Sequence, residues 1–305
     1  KTVAKQSAAN ARRAAEEQYA KDTLAATGLG QGIVSSQMLL DQMNGDDGEL
    51  TAQRAAADRE WTYGHIVVDE AQELTAMDWR MLIRRCPSRS FTIVGDVAQT
   101  SALAGTRRWD KTMNRLFGEG HWDLNELTIN YRNPQEVSDL ASRFAQNEGL
   151  YISTVNAVRA LPDSVSRHVV DDMKALLTVT SNQAAQLANH FVSADGTGRI
   201  AIICPDDLIK PVREAVRHRL SSLMAPSEYQ RLIDQPEWDE QISVCGTEMV
   251  KGLEFDAVIV IEPGRIEDDA PSRLVAASDL YVATTRPTQK LVIVRTKEDE
   301  RSLNI

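Results

Sequence analysis

Cysteine is scarce in this chain, with three thiols among 305 residues, at Cys86, Cys204 and Cys245. So few, odd in number and far apart, they suggest neither a disulfide framework nor a zinc site. The five histidines are scattered as well. No apolar run approaches membrane-spanning length and no signal-peptide pattern opens the chain, so the expectation is a cytoplasmic protein without a membrane partner. Positive charge is also short. The 34 Lys and Arg face 44 Asp and Glu, for a net charge of −10 and a pI near 5.1. That balance argues against a surface wrapped around DNA, where neutralised phosphates supply much of the affinity. The clusters Arg84-Arg85, Arg107-Arg108 and Arg213/Arg217/Arg219 read as solvated faces. One further absence is chemical. Gly-x-x-x-x-Gly-Lys-Ser/Thr occurs nowhere, nor does any Gly-Lys dipeptide, so the loop that cradles phosphates with backbone N–H groups and a lysine is missing.

What the chain does have is a repeated strand ending. His65-Ile66-Val67-Val68 is a short apolar run of the kind that forms a buried strand, and it stops at Asp69-Glu70-Ala71-Gln72. Phe91-Thr92-Ile93-Val94 repeats the pattern and stops at Gly95-Asp96-Val97-Ala98-Gln99. Open α/β sheets bind their ligands at the carboxyl ends of strands. There, one carboxylate can hold Mg²⁺ while its neighbour orients an attacking water. An acidic pair after a strand is also what a solvated turn looks like, and the pair alone does not separate the two.

The rest of the chain divides unevenly. Residues 1–60 predict helices over about 3–26, 33–43 and 50–60, broken at Gly28-Leu29-Gly30-Gln31-Gly32 and at Asn44-Gly45-Asp46-Asp47-Gly48. Residues 61–129 predict strand, helix (75–85), strand, helix (109–117), strand. A helix follows over 134–148, then strands near 166–170 and 175–179, a helix at 181–194 and a strand at 199–204. A helix at 206–223 leads to strands at 242–245 and 257–262, a helix at 271–284 and a strand at 290–295. Such alternation implies doubly wound, mostly parallel sheets.

Three more segments complete an ordered set: Asn130-Tyr131-Arg132-Asn133, then Gly246 to Asp256 (Gly-Thr-Glu-Met-Val-Lys-Gly-Leu-Glu-Phe-Asp), then Tyr281-Val282-Ala283-Thr284-Thr285-Arg286. With the two strand endings, they resemble motifs II to VI of superfamily 1 helicases of the UvrD/Rep type over residues 61–296. The resemblance implies an α/β P-loop NTPase fold with two RecA-like, doubly wound parallel sheets. Residues 61–132 would be the second half of the first domain and 133–305 a complete second domain, behind the helical tail 1–60 of an upstream segment. In this family the phosphate loop precedes the Asp-Glu pair, so the expectation is the C-terminal motor portion of a longer protein, inactive as an ATP hydrolase by itself.

The resemblance also implies roles, with ATP and Mg²⁺ as ligands. Asp69 would assist Mg²⁺ and Glu70 would act as general base. Gln72 and Gln99 would sense the γ-phosphate, and Asp96 would support the strand-end turn at Gly95-Asp96. Arg132 and Arg286 would reach the γ-phosphate, and arginine fingers of this kind contribute about 10³–10⁵ in rate. Glu254 would bind ribose, with Gly252 permitting the tight turn before it. Tyr131 matches a position that stacks near the base, and a core aromatic fits it equally. Arg132 could equally open a helix at the surface, and Arg286, followed by Pro287, could end one.

Two departures bear on what the motor would move along. About 115 residues separate Arg132 from Thr247, enough for one sheet with its helices but not for the extra domain that typical UvrD/Rep helicases insert there. After Gln99, where the family has aromatics that stack on single-stranded bases, this chain has Thr100-Ser101-Ala102-Leu103-Ala104-Gly105. Tyr63-Gly64-His65 with Met77-Asp78-Trp79-Arg80 resembles the DNA helicase IV/HelD-like branch of actinobacteria, some of whose members release RNA polymerase from nucleic acid. The UvrD/Rep resemblance implies single-stranded or partly duplex DNA as the partner, and the HelD-like likeness gives RNA polymerase as the alternative. A non-hydrolysing interaction module is a third reading.

Overall fold

The computed structural model describes residues 62–235 and 240–299. The helices expected within residues 1–60 lie outside the described residues. The chain separates between Tyr63 and Gly64 into two compact units, and the architecture below belongs to the second.

The first two apolar runs pair as short parallel strands, β1 (Ile66–Val68) and β2 (Phe91–Ile93), with Ile66 opposite Phe91 and Val68 opposite Ile93. Between them runs α1 (Ala76–Arg85), opened by a capping box in which Thr75 and Asp78 exchange side-chain and backbone hydrogen bonds. Those bonds hold the half-buried Asp78 carboxyl below its usual range. Trp79 on α1 packs with Val68, Ala71 and Met113, the last from α2 (Trp109–Phe117). Next come β3 (Ile129–Pro134), α3 (Gln135–Asn147) and β4 (Asn156–Arg159), with β3 and β4 forming a second parallel pair.

The remaining strands build a five-stranded, wholly parallel sheet in the order β5-β9-β8-β6-β7. In chain order its elements are β5 (Val165–Val170), α4 (Met173–Phe191), β6 (Ile200–Ile203), α5 (Asp206–Leu223), α6 (Pro226–Ile233), β7 (Ile242–Cys245), β8 (Phe255–Ile261), α7 (Pro263–Asp269), α8 (Arg273–Thr285) and β9 (Pro287–Thr296). Parallel sheets need cover on both faces, so their central strands read as unbroken apolar runs. Every residue of Ile200-Ala201-Ile202-Ile203 is fully buried, and the period of two sorts them. Ile200 and Ile202, with Ile259 and Val292, pack against Leu176, Val212 and Leu220 of α4 and α5. Ala201 and Ile203, with Val258 and Leu291, pack against Leu140, Phe144 and Leu280 of α3 and α8. Burying each large aliphatic side chain contributes about 1.5–3 kcal/mol. The edge strand β7 is blunted by Arg213, which donates to the carbonyl of Val244 at 2.9 Å.

One expectation is overturned here. Residues 175–179 are not a strand but the first turns of α4. Asp172 caps that helix by accepting from the Ala175 N–H at 2.8 Å. Leu176, Thr180, Ala184, Leu187 and Ala188 then bury one helical stripe, and that packing overrides the strand preference of Val179 and its neighbours. Three short elements, β4, α6 and α7, were not expected from the sequence. Among the described residues no helix is long and apolar enough to cross a membrane.

Candidate active site

Both strand endings of the first pair turn back on each other. After Asp69 and Glu70, β1 runs into a single 3-10 turn, Ala71–Glu73, whose Ala71 N–H donates to Val94 O at 3.0 Å across the end of β2. Glu70 takes a left-handed conformation (φ 49°), which costs a non-glycine residue on the order of 1–2 kcal/mol. Asp69 accepts the Glu70 N–H at 2.9 Å and steadies the turn. Both carboxylates remain exposed.

Gln72 is the buried pivot. Its Nε2 donates to Glu70 Oε2 at 2.5 Å, and its Oε1 accepts the Asp96 N–H at 3.1 Å. Gly95 leaves the room for this. A Cβ there would stand 2.3 Å from Gln72 Oε1 and 3.1 Å from Ala71 N. Asp96 then accepts from Ala98 N–H and from Gln99 Nε2, both at 2.9 Å. Burial pushes the Asp96 carboxyl above its usual range, against the pull of those bonds and of Arg286.

The last step crosses between the sheets. Gln99 Oε1 accepts from Arg286 Nη2 at 2.7 Å. Arg286 lies where α8 passes into β9, buried, with Nε on Val282 O at 3.2 Å and Nη1 on Leu253 O at 3.3 Å. Burial and the nearby Arg132 depress its pKa, while Glu70, Glu254 and Asp96 oppose that. A guanidinium nevertheless stays charged in proteins. An unbroken hydrogen-bonded path therefore runs from Glu70 through Gln72, Asp96 and Gln99 to Arg286.

The other residues singled out from sequence gather around this path. Arg132, on β3, sits 2.7 Å from Glu254 Oε1, and both side chains are substantially exposed. Gly252 takes the left-handed φ of 69° that its loop requires, and the loop passes beside Glu70, whose Oε1 would lie 4.0 Å from a Cβ at this position. Tyr131 is 76% exposed, which excludes the core reading. Arg132 lies within a strand, not at the surface opening of a helix, because β3 continues to Pro134.

Three residues that hold the site together escaped the sequence reading. Asn133 Nδ2 donates to Thr285 O at 2.8 Å and Pro287 O at 2.7 Å, on either side of Arg286. Asn130 Oδ1 accepts the N–H groups of Arg132 and Asn133. Arg159 donates to Arg132 O and to Thr288 O. The two asparagines bracketing Tyr131-Arg132 were a legible signal, because a short amide side chain that bonds nearby backbone shapes a turn. Arg159 carried none.

No protein-family model matches the chain, and no curated protein does. Among solved structures it is similar to the C-terminal domain of a possible DNA helicase from Lactobacillus plantarum WCFS1. The identity is 18% and the TM-score 0.38, over 57% of this chain and 96% of that one. So loose a likeness bears no weight for function.

Proposed function

We propose that this chain carries the hydrolytic and coupling residues of a UvrD/Rep-like superfamily 1 ATPase. The 61–132 segment would be part of one RecA-like domain and the 133–305 segment the other. The observation that carries the reading is the path from Glu70 to Arg286, which links a strand-end carboxylate to a buried guanidinium 216 positions later in the chain. ATP would be cleaved between the ends of β1 and β2 and the junction of α8 with β9.

Within that reading, Glu70 is the general base. Gln72 occupies its Oε2, which leaves Oε1 to take the proton of the attacking water. Arg286 and Arg132 stabilise charge on the transferring phosphoryl group. Gln99 reports on that event, because a phosphoryl oxygen competes with it for the Arg286 Nη2. Glu254, now paired with Arg132, binds the ribose hydroxyls, and exposed Tyr131 offers a face to the base.

Asp69 fits a magnesium site. It is an exposed strand-end carboxylate with one oxygen on a backbone N–H, and Mg²⁺ in nucleotide sites is held by one or two carboxylates with substrate phosphates and water. When bound, the ion would neutralise charge on the β- and γ-phosphates. The phosphate-binding loop has to come from outside residues 1–305. The chain alone is therefore expected to bind ATP weakly and hydrolyse none measurably.

A second reading of the track stands beside the first. The loop after Gln99 carries no aromatic, and the nearest one, Trp109, packs against the core of Val68, Ala71 and Trp79. This loop therefore offers no aromatic for base stacking, and beside the DNA helicase reading we keep as the alternative an ATPase that releases RNA polymerase from nucleic acid. The deciding experiment measures ATP turnover by the full-length protein alone, with single-stranded DNA and with RNA polymerase, using Glu70→Gln as the blank. Stimulation by DNA, lost in the variant, supports a helicase or translocase. Stimulation by polymerase with indifference to DNA supports a polymerase-releasing ATPase. No turnover under any condition overturns the ATPase reading and leaves an interaction module, whereas turnover unchanged by Glu70→Gln removes Glu70 as the general base.

A further inference from the structure

Helix α8 grips the loop after β2 at two points. Arg286 holds Gln99, and Asp279, seven residues earlier, accepts a short hydrogen bond from Ser101 Oγ. Seven residues are two helical turns, and Arg286 caps the C-terminus of α8 in helical backbone, so both side chains lie on one stripe. Their targets are two residues apart on the loop. The other side of that loop is tied to the β1 turn. Glu73 accepts Ser101 N–H at 2.9 Å and Ala102 N–H at 3.1 Å, and Gln72 O accepts Thr106 N–H at 2.7 Å. Ser101 thus joins two acids, one from each side.

Asp279 is nearly buried, at 8% exposure. A buried carboxylate is retained only where partners compensate its lost hydration. One partner is Ser101. The other is Lys251, whose Nζ stands 4.0 Å from the same Oδ1, on the loop that carries Gly252 and Glu254. Glu248 and Glu73 are the like charges facing it. If Ser101 withdraws, Lys251 can close on the carboxylate, so separating the loop from α8 strands no charge. The arrangement is a two-position device with a partner for each position.

We infer that Ser101 and Asp279 form a latch, with Asp279 a positioning residue that keeps Gln99 within reach of Arg286 and exchanges Ser101 for Lys251 when the loop leaves α8. A single hydrogen bond between two long side chains orients the loop poorly, and a second contact two residues on fixes its direction. The consequence for turnover rests on the ATPase reading above. The latch itself does not.

Backbone hydrogen exchange in the full-length protein tests it directly. Ser101→Ala and Asp279→Ala should each speed exchange across residues 97–106 by about tenfold, with β6 and β8 amides unchanged. Asp279→Asn keeps an acceptor for Ser101 and should stay near wild type. Unchanged exchange at 97–106 in both alanine variants overturns the latch, and so does an Asp279→Asn loop as open as that of Asp279→Ala. If Asp279→Ala does not fold, Ser101→Ala carries the test. In the ATPase assay, Ser101→Ala should lower kcat and leave KM for ATP near wild type. A faster-exchanging loop in a protein that never hydrolyses ATP would sustain the latch and remove only the ATPase reading.

Discussion

Arg132 and Glu254 hold each other, Nη2 to Oε1 at 2.7 Å, between β3 and the loop leading into β8. The two residues expected to meet different parts of a nucleotide therefore meet each other. The pair is substantially exposed, and exposed ion pairs contribute about 0–1 kcal/mol. Glu254→Ala should leave the urea midpoint almost where it is, while weakening ATP binding by the full-length protein. A large loss of stability with unchanged nucleotide affinity would make the pair purely structural.

Gly95 is a position of close approach. Alanine there drives a methyl into the Gln72 carboxamide, which must leave the Asp96 N–H or Glu70. Overpacking of this kind costs about 1–3 kcal/mol. Gly95→Ala should therefore lower the denaturation midpoint and also depress ATP turnover. Gln72→Leu should reproduce the loss of turnover without the steric clash, since it leaves the Asp96 N–H without its partner.

Asp96 sets a pH dependence with a definite sign. Burial raises its folded pKa above the unfolded value near 3.9, so between those two values the folded state binds the extra proton. Its contribution to stability is full below the unfolded pKa and is lost as pH rises through the folded one. Urea denaturation of wild type and Asp96→Asn between about pH 4 and 7 should show the wild type gaining on the variant as pH falls. A parallel pair of curves would count against a raised Asp96 pKa.

Cys204 and Cys245 are free thiols that burial pushes up, to about 12 and about 11 respectively. The thiolate is the reactive form. Iodoacetamide at pH 8 should therefore leave both unlabelled in the native protein and label them readily in denaturant. Rapid native labelling at either position would mean that the β6–β7 end of the sheet opens.

Much of the architecture was legible because it is local. The apolar runs at 200–203 and 257–261 are strands for the reason that made them visible: a parallel sheet covered on both faces has no polar positions to interrupt the run, and the shorter runs at 66–68 and 91–93 form a parallel pair although Val67 and Thr92 stay exposed. The helices α1 and α5 carried a capping signal or a clear apolar stripe. Residues 175–179 misled because β-branched side chains there sit on a helix whose buried stripe is defined over nineteen residues. The short strand β4 was invisible, since its four residues, Asn-Ala-Val-Arg, alternate only between exposed and half-buried and show no apolar alternation in the sequence.

Sequence by itself determined which residue types end the strands: an acid pair after β1, Gly-Asp and a glutamine after β2, and an arginine closing α8. Those choices are set by local backbone geometry and by the chemistry of each side chain, both encoded within a few residues. Only the tertiary structure decided their partners. Gln99 meets Arg286 across 187 positions, Asn133 stitches β3 to both flanks of Arg286, and Ser101 finds Asp279. A hydrogen bond of 2.7 Å between residues so far apart depends on how sheets and helices pack, and no local pattern encodes that distance.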